Sequence, residues 1–157
     1  MVTWAELTVN VLAFAGTQRP AQAAELLNKL TNLSRSHAGE SALRELQAKG
    51  AFNLITDYGN AGQIDKARAL YENLATLAAA HDREPALRET QAKGAVNLIN
   101  YYGNAGQLDK ARALYEILAT LAAAHDGEPV LQEMQANGAH NLTILTTIYH
   151  TAANRSS

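Results

Sequence analysis

Cysteine is absent from this 157-residue chain, which excludes disulfide bonds, thiolate catalysis and thiolate-bound metal sites. Proline occurs only three times, and aromatic residues make up 6% of the chain. Aliphatic β-branched residues are also few, because five Val and six Ile stand beside 21 Leu and 31 Ala. Ala and Leu favour helices, whereas strands collect β-branched and aromatic residues. The composition therefore predicts a nearly all-α protein.

The chain has no excess of charge of either sign, since 13 Lys and Arg stand against 15 Asp and Glu. This balance excludes a strong electrostatic attraction to nucleic acid or to an anionic membrane, and we expect neither partner. No apolar run approaches the roughly 20 residues that cross a bilayer, and the first residues lack the basic segment of a secretory signal. We expect one domain in a soluble, cytoplasmic protein.

An internal repeat with a period of 44 residues dominates the sequence. Residues 50–93 and 94–137 differ at only ten of 44 positions, and a fainter copy precedes them. The pattern resumes at residue 138 and continues for about one more helix. We therefore predict an α-solenoid of antiparallel helices, with three helix pairs and a C-terminal helix in a single domain spanning 1–157. The predicted repeat units are about 1–37, 38–81 and 82–125, followed by a terminal helix at about 126–153.

Each unit contains two apolar helical periodicities separated by a Gly-Asn-Ala-Gly step. Gly62 and Gly106 fall where a first helix must end, because glycine adopts the left-handed conformation without a Cβ penalty. Pro85 and Pro129 suit the first turn of the next helix. The predicted helices span roughly 3–15, 20–37, 40–60, 64–81, 84–104, 108–125 and 128–151. The predicted aromatic core consists of Tyr58, Tyr71, Tyr102 and Tyr115.

The recurring frame resembles that of the tetratricopeptide repeat (TPR) family. It reads Ala51, Leu54-Ile55, Tyr58, Gly62, Ala67 and Tyr71, and it returns as Ala95, Leu98-Ile99, Tyr102, Gly106, Ala111 and Tyr115. The first copy carries Leu27 at the position of Tyr71. The period exceeds the family's roughly 34 residues, Ile55 replaces a small residue, and the usual proline closing the second helix is absent. HEAT and armadillo repeats share the period but not this frame.

Five histidines are the residues most typical of a metal or acid–base site. His37, His81 and His125 recur at the predicted ends of second helices, where a donor or cationic side chain favours the exposed carbonyls. Stacked helices lie about 10 Å apart, too far for successive repeats to share a metal. His140 and His150 lack the four-residue spacing that places two ligands on one helix face. We expect capping histidines, no metal and no cofactor.

The carboxylates follow the pattern of surface ion pairs. Asp65 and Glu72 lie three and four residues from Arg68, and the next repeat copies all three residues. No acid stands alone on an apolar face, as the raised pKa of a general acid requires. The chain also lacks a Gly-x-Ser-x-Gly turn and a Gly-x-x-x-x-Gly-Lys-Ser/Thr phosphate loop. We predict that the protein is not an enzyme.

The resemblance implies a recognition surface, because first helices line the concave side of a TPR superhelix. The matching residues, spaced by three and four, are Lys49, Phe52, Asn53, Thr56 and Asn60, then Lys93, Val96, Asn97, Asn100 and Asn104, then Asn137, His140, Asn141 and Ile144. Asn53, Asn97 and Asn141 form a predicted ladder whose amides can pair with the backbone of an extended peptide. Lys49 and Lys93 favour acidic ligands. The alternative is that each Asn ties neighbouring helices together.

The C-terminal part favours a different function, which is self-association. Beyond Glu116 the only charged residues are Asp126, Glu128, Glu133 and Arg155. A homodimer covers such a surface without open-ended growth. The predicted interface consists of Tyr101, Ile117, Met134, Leu145, Ile148 and Tyr149. The alternative is an array cut from a longer one, whose next helix covers this surface.

Overall fold

The computed structural model describes residues 20–155, which form six α-helices and no strand. They are α1 (Pro20–Ser36), α2 (Ser41–Asn60), α3 (Ile64–Ala80), α4 (Pro85–Asn104), α5 (Leu108–Ala124) and α6 (Pro129–Arg155). The all-α class predicted from composition is confirmed. The predicted helix at 3–15 lies outside the described residues. In the predicted pairs, α2, α4 and α6 are first helices, and α1, α3 and α5 are second helices.

The helix ends follow local signals in the sequence. Pro85 and Pro129 are the first residues of α4 and α6, where a missing backbone N–H costs no hydrogen bond. Gly62 and Gly106 have φ values of +73° and +75° and close α2 and α4 in the left-handed conformation. In each turn the following Gln N–H donates to the carbonyl of the tyrosine five residues earlier, at 2.8 Å, which is the Schellman pattern. Both glycine predictions are confirmed.

The chain divides into two compact units, Met1–Gln91 and Ala92–Ser157. The division falls inside α4 rather than at a predicted repeat boundary. The structure describes 20–91 of the first unit and 92–155 of the second.

In the first unit α2 packs against both α1 and α3. The core is formed by Ala23, Leu27 and Leu30 of α1, by Leu43, Leu54, Ile55 and Tyr58 of α2, and by Ala67, Tyr71 and Leu74 of α3. Each of the three core residues of α1 has a core residue of α3 one 44-residue period later. The two second helices therefore bury the same face, as the repeat predicts.

Arg44 links two connections of the first unit to α2. Its side chain is only 9% exposed, and its Nε donates to both carboxylate oxygens of Glu84, at 2.8 and 3.1 Å. Its Nη2 also donates to Glu84, and its Nη1 donates to the Ala38 carbonyl. One guanidinium thus joins the turn before α2 to the turn before α4. Arg88, which stands 44 residues later, donates to the Asp82 carbonyl.

In the second unit α5 and α6 pack against each other and against the C-terminal part of α4. The large buried side chains are Leu98, Ile99 and Tyr102 of α4, Leu114 and Leu118 of α5, and Leu131 and Leu145 of α6. At Gly138 of α6 a Cβ would lie 3.1 Å from Leu118 Cδ2 and 3.3 Å from Ile99 Cδ1. The missing side chain lets α6 approach both neighbouring helices closely.

The predicted aromatic core is correct at three of its four positions. Tyr58, Tyr71 and Tyr102 are buried, whereas Tyr115 of α5 is only half-buried. The residue of α6 that faces the Tyr115 ring is Gly138, where a Cβ would lie 3.4 Å from the ring atom Cδ2. Tyr115 thus packs against α6 and still leaves part of its ring exposed. None of the helices between residues 20 and 155 is long and apolar enough to cross a bilayer.

Candidate functional site

The three repeated histidines lie at helix ends, but they do not all contact the same groups. The Nδ1 atom of His37 lies 3.1 Å from the Leu33 carbonyl at the end of α1, which is the predicted capping contact. The Nδ1 atoms of His81 and His125 lie 3.9 Å from the carboxylates of Glu84 and Glu128. Between residues 20 and 155 no three His, Asp or Glu side chains are grouped as a metal site requires.

The repeated acids form surface ion pairs. Arg68 Nε lies 2.9 Å from a carboxylate oxygen of Glu72 in the first unit, and Arg112 lies 3.7 Å from Asp109 in the second. Asp57 of α2 differs, because partial burial raises the pKa of its carboxyl group. Its position in the repeat is taken by Tyr101 in the next copy, so this acid is not part of the recurring pattern.

In the first unit the predicted recognition residues lie along one side of α2. Lys49 and Asn60 are exposed, and Phe52, Asn53 and Thr56 are half-buried. The Thr56 hydroxyl donates to the Phe52 carbonyl at 3.1 Å, so its donor serves α2 itself. We name this row the α2 stripe. Its charge comes from Lys49, with the Asp57 carboxyl close by on the next side of the helix.

In the second unit the predicted recognition residues lie on α4 and α6, which are neighbours. Lys93 and Asn104 of α4 are exposed, as are Asn137 and His140 of α6; Val96, Asn97, Asn100 and Asn141 are half-buried. The contact between the two helices is direct, because the Tyr149 hydroxyl lies 3.4 Å from the Asn104 carbonyl oxygen. Asn97 and Asn141 therefore stand on adjacent helices, 44 residues apart in the repeat. We name these rows the α4 stripe and the α6 stripe.

The α6 stripe continues into apolar residues. Ile144 and Ile148 are 45% and 56% exposed, one helical turn apart. Together with Asn137 and Asn141 they are spaced by four, three and four residues, which places all four on one side of α6. This surface of the second unit thus combines two amides with two exposed isoleucines.

Only some of the residues predicted to form the dimer interface are exposed. Ile117, Ile148 and Tyr149 are exposed, and Tyr101 and Met134 are half-buried. The prediction is wrong for Leu145, because this side chain is 8% exposed and packs inside its own unit. A Cβ at Gly103 would overlap the Leu145 side chain, so the glycine of α4 creates the space that Leu145 fills. Leu145 cannot present that side chain to a partner.

A threonine-lined groove of about 290 Å³ lies between α5 and α6. Arg112 borders it on α5, and Thr143, Thr146 and Thr147 border it on α6. Each of the three hydroxyls donates to the carbonyl four residues earlier in α6, at 2.8–2.9 Å. Their donors are therefore already used within the helix.

A larger groove, of about 420 Å³, lies in the first unit between α1 and α3. Leu27 and Leu74 contribute to its apolar part, and Gln47 of α2 borders it with a polar side chain. Sequence reasoning missed this groove, although the signal was present: Leu27 interrupts the repeat at the position of Tyr71.

The described residues thus form two kinds of surface, which are the stripes on first helices and the grooves between neighbouring helices. No family model, no curated protein and no solved structure matches this chain.

Proposed function

We propose that the chain is a TPR-like helical-repeat module that binds a peptide segment of a partner protein. The observation that carries this proposal is the second unit's surface, where Asn97 and Asn141 stand on neighbouring helices and neither is buried. The frame residues support the family resemblance, because Ala67 is fully buried in the first unit and Ala111 in the second. The cytoplasmic location stays a prediction from the sequence.

The chemistry of this surface suits an extended acidic peptide. Each amide can donate and accept, so two amides on adjacent helices can pair with successive backbone groups whatever the peptide's side chains are. Ile144 and Ile148 offer apolar contact area on the same side of α6. Lys93 adds an exposed positive charge beside the amides. The isoleucines would supply most of the affinity, and the amides would fix the position of the peptide backbone along the surface.

The test is selection of peptides from a random-sequence library against the full 157-residue chain. Binding of a selected peptide is then measured by calorimetry for the wild type and for Asn97→Ala and Asn141→Ala. Each substitution is expected to weaken binding about tenfold, since it removes hydrogen bonds to the peptide backbone. The thermal midpoint should change little. Asn154→Ala is the matched control, because Asn154 is exposed on another side of α6, and this variant should bind the peptide as the wild type does.

The opposite pattern contradicts the proposal. If Asn97→Ala and Asn141→Ala lower the thermal midpoint while peptide binding is intact, the amides tie helices together instead of binding a ligand. If selected peptides bind equally well to all variants, they bind elsewhere on the chain.

Self-association is the second candidate function, and the exposure of Ile144 and Ile148 is the observation that favours it. Isolated exposed isoleucines are ordinary, but two on consecutive turns beside Tyr149 form one apolar surface. A two-fold dimer would bury this surface against its own copy. It would use the same side of α6 as the peptide, so the two functions compete.

The double substitution Ile144→Lys with Ile148→Lys is expected to turn a dimer into a monomer without unfolding it, because both side chains already face solvent. Light scattering at several protein concentrations measures the mass. Ala136→Lys, which places one charge at an exposed position on another side of α6, is the control and should not change the mass. A wild-type chain that stays monomeric at high micromolar concentration rejects the dimer.

A further inference from the structure

The groove of the first unit lies on the side of α2 away from the α2 stripe. Gln47 and Ala51 of α2 border the groove. At about 100° per residue, these two positions point away from Lys49, Asn53 and Asn60. An adjoining recess of about 230 Å³ shares Gln47, Thr31 and Arg35 with the groove. The groove is therefore a second surface, independent of the residues proposed to bind peptide backbone.

The repeat explains why this groove exists. Tyr71 of α3 is only 2% exposed, and its hydroxyl is hydrogen-bonded to the Gln91 side chain. Forty-four residues earlier, Leu27 and Gln47 occupy the positions of Tyr71 and Gln91. Leucine supplies neither the ring nor the hydroxyl, and space is left over beside it. The Tyr71–Gln91 pair thus has both of its residues, whereas at the equivalent positions of α1 and α2 the glutamine is kept and the tyrosine is missing.

Gln47 is the glutamine that has no tyrosine to bind. Gln91 is buried beneath its tyrosine, whereas Gln47 is half-buried and borders both the groove and the adjoining recess. In the part of the chain that the structure describes, the Gln47 amide has no hydrogen-bond partner. It presents a donor and an acceptor to the open space, next to the apolar side chains of Leu27 and Leu74.

The charge around the groove has one sign. Arg35 is the charged residue among the described residues that line it, and its Nη1 contacts the Asn32 amide oxygen at 3.3 Å. The adjoining recess adds Arg44, whose guanidinium is already bound to Glu84. Neither lining contains a carboxylate among the described residues. A ligand with an anionic group near its aromatic ring therefore complements the rim.

We propose that this groove is a binding site for a tyrosine side chain of an acidic peptide from another protein. The ring lies against the half-buried Leu77, next to Leu27, the hydroxyl pairs with the Gln47 amide, and a carboxylate of the peptide meets Arg35. The ligand supplies the half of the Tyr–Gln pair that Leu27 lacks. The site goes beyond the proposed stripe function and does not depend on it.

Three small probes separate the parts of this site. They are 4-hydroxyphenylacetate, which has the phenol and the carboxylate, phenylacetate, which lacks the hydroxyl, and tyramine, which carries an ammonium group in place of the carboxylate. Each is titrated into the full chain and followed by two-dimensional NMR. We expect 4-hydroxyphenylacetate to shift the Gln47 amide and the Leu27 and Leu77 methyl signals. Phenylacetate and tyramine should each bind about tenfold more weakly.

Leu27→Tyr is the decisive variant, because it restores the residue that the next repeat carries. Its own ring should fill the groove and bond to Gln47, so binding of 4-hydroxyphenylacetate should fall at least about tenfold. The thermal midpoint should be kept or raised. Gln47→Leu leaves the groove open, and there 4-hydroxyphenylacetate and phenylacetate should bind equally. Asp65→Asn, at the exposed start of α3 and outside the groove, is the control and should bind the probe as the wild type does.

Several results overturn the proposal. One is the absence of shifts at Gln47 and Leu27 up to the solubility limit of 4-hydroxyphenylacetate. Another is undiminished binding to a folded Leu27→Tyr chain, which would place the probe elsewhere. Equal binding of the three probes to the wild type would show an unspecific apolar groove. Dissociation of a wild-type dimer by the phenol would identify the occupant as a second copy of this chain.

Discussion

Replacing Tyr102 by Ala is expected to lower the free energy of unfolding of the second unit by about 3–5 kcal/mol. The Tyr102 side chain is 3% exposed, so its removal leaves a cavity among side chains that cannot collapse to fill it. The Lys110 ammonium lies 5.3 Å from the centre of the ring, so a cation–π contact is lost as well. Urea-induced unfolding followed by circular dichroism measures the effect.

Tyr102→Phe is the matched control, because it keeps the ring and its packing. Its free energy of unfolding is expected to stay within about 1 kcal/mol of the wild type. Tyr102→Ala should also lose peptide binding, since Asn97 lies on the same helix. A loss of less than about 1 kcal/mol for Tyr102→Ala would show that the ring is not part of a tightly packed core.

Replacing Arg44 by Met is expected to lower the free energy of unfolding of the first unit by about 3 kcal/mol, the lower end of what breaking a buried ion pair costs. Met keeps most of the buried aliphatic stem, so the loss reports on the guanidinium. Without Arg44 the Glu84 carboxylate, whose side chain is only 19% exposed, loses its main hydrogen-bond donor. The Ala38 carbonyl also loses a donor.

The partner substitution Glu84→Gln completes a double-mutant cycle for this pair. In the Arg44→Met background it removes the unpaired charge, so the double variant should be more stable than Arg44→Met alone. Urea unfolding of the four proteins gives the coupling free energy. A coupling below about 1 kcal/mol would place this pair among ordinary surface ion pairs.

The local structure of this protein could be predicted from its sequence. Helix ends at Pro85, Pro129, Gly62 and Gly106 agree with the structure because each depends on the backbone of that residue and its immediate neighbours. The 44-residue period likewise predicted which side chains of α1 and α3 share a buried face, since helical periodicity is local as well.

The candidate sites depended on more than local pattern. Every predicted stripe residue lies at the surface or half-buried, because spacings of three and four assign a face whatever lies opposite. Leu145 and Tyr115 were placed wrongly for the complementary reason. Leu145 is buried because Gly103 on another helix leaves room for it, and Tyr115 stays partly exposed although it packs against Gly138 of α6. Neither fact can be read from the residue's own helix.

The groove of the first unit shows the same division. The sequence alone determined that Leu27 breaks the repeat at the position of Tyr71 and that Gln47 keeps the position of Gln91. Whether the missing ring leaves an open space or a collapsed core depends on how α1, α2 and α3 pack against one another. Only the tertiary structure decided that the space stays open and that Gln47 borders it. Helix formation is governed by neighbours in the chain, whereas a cavity is governed by neighbours in space.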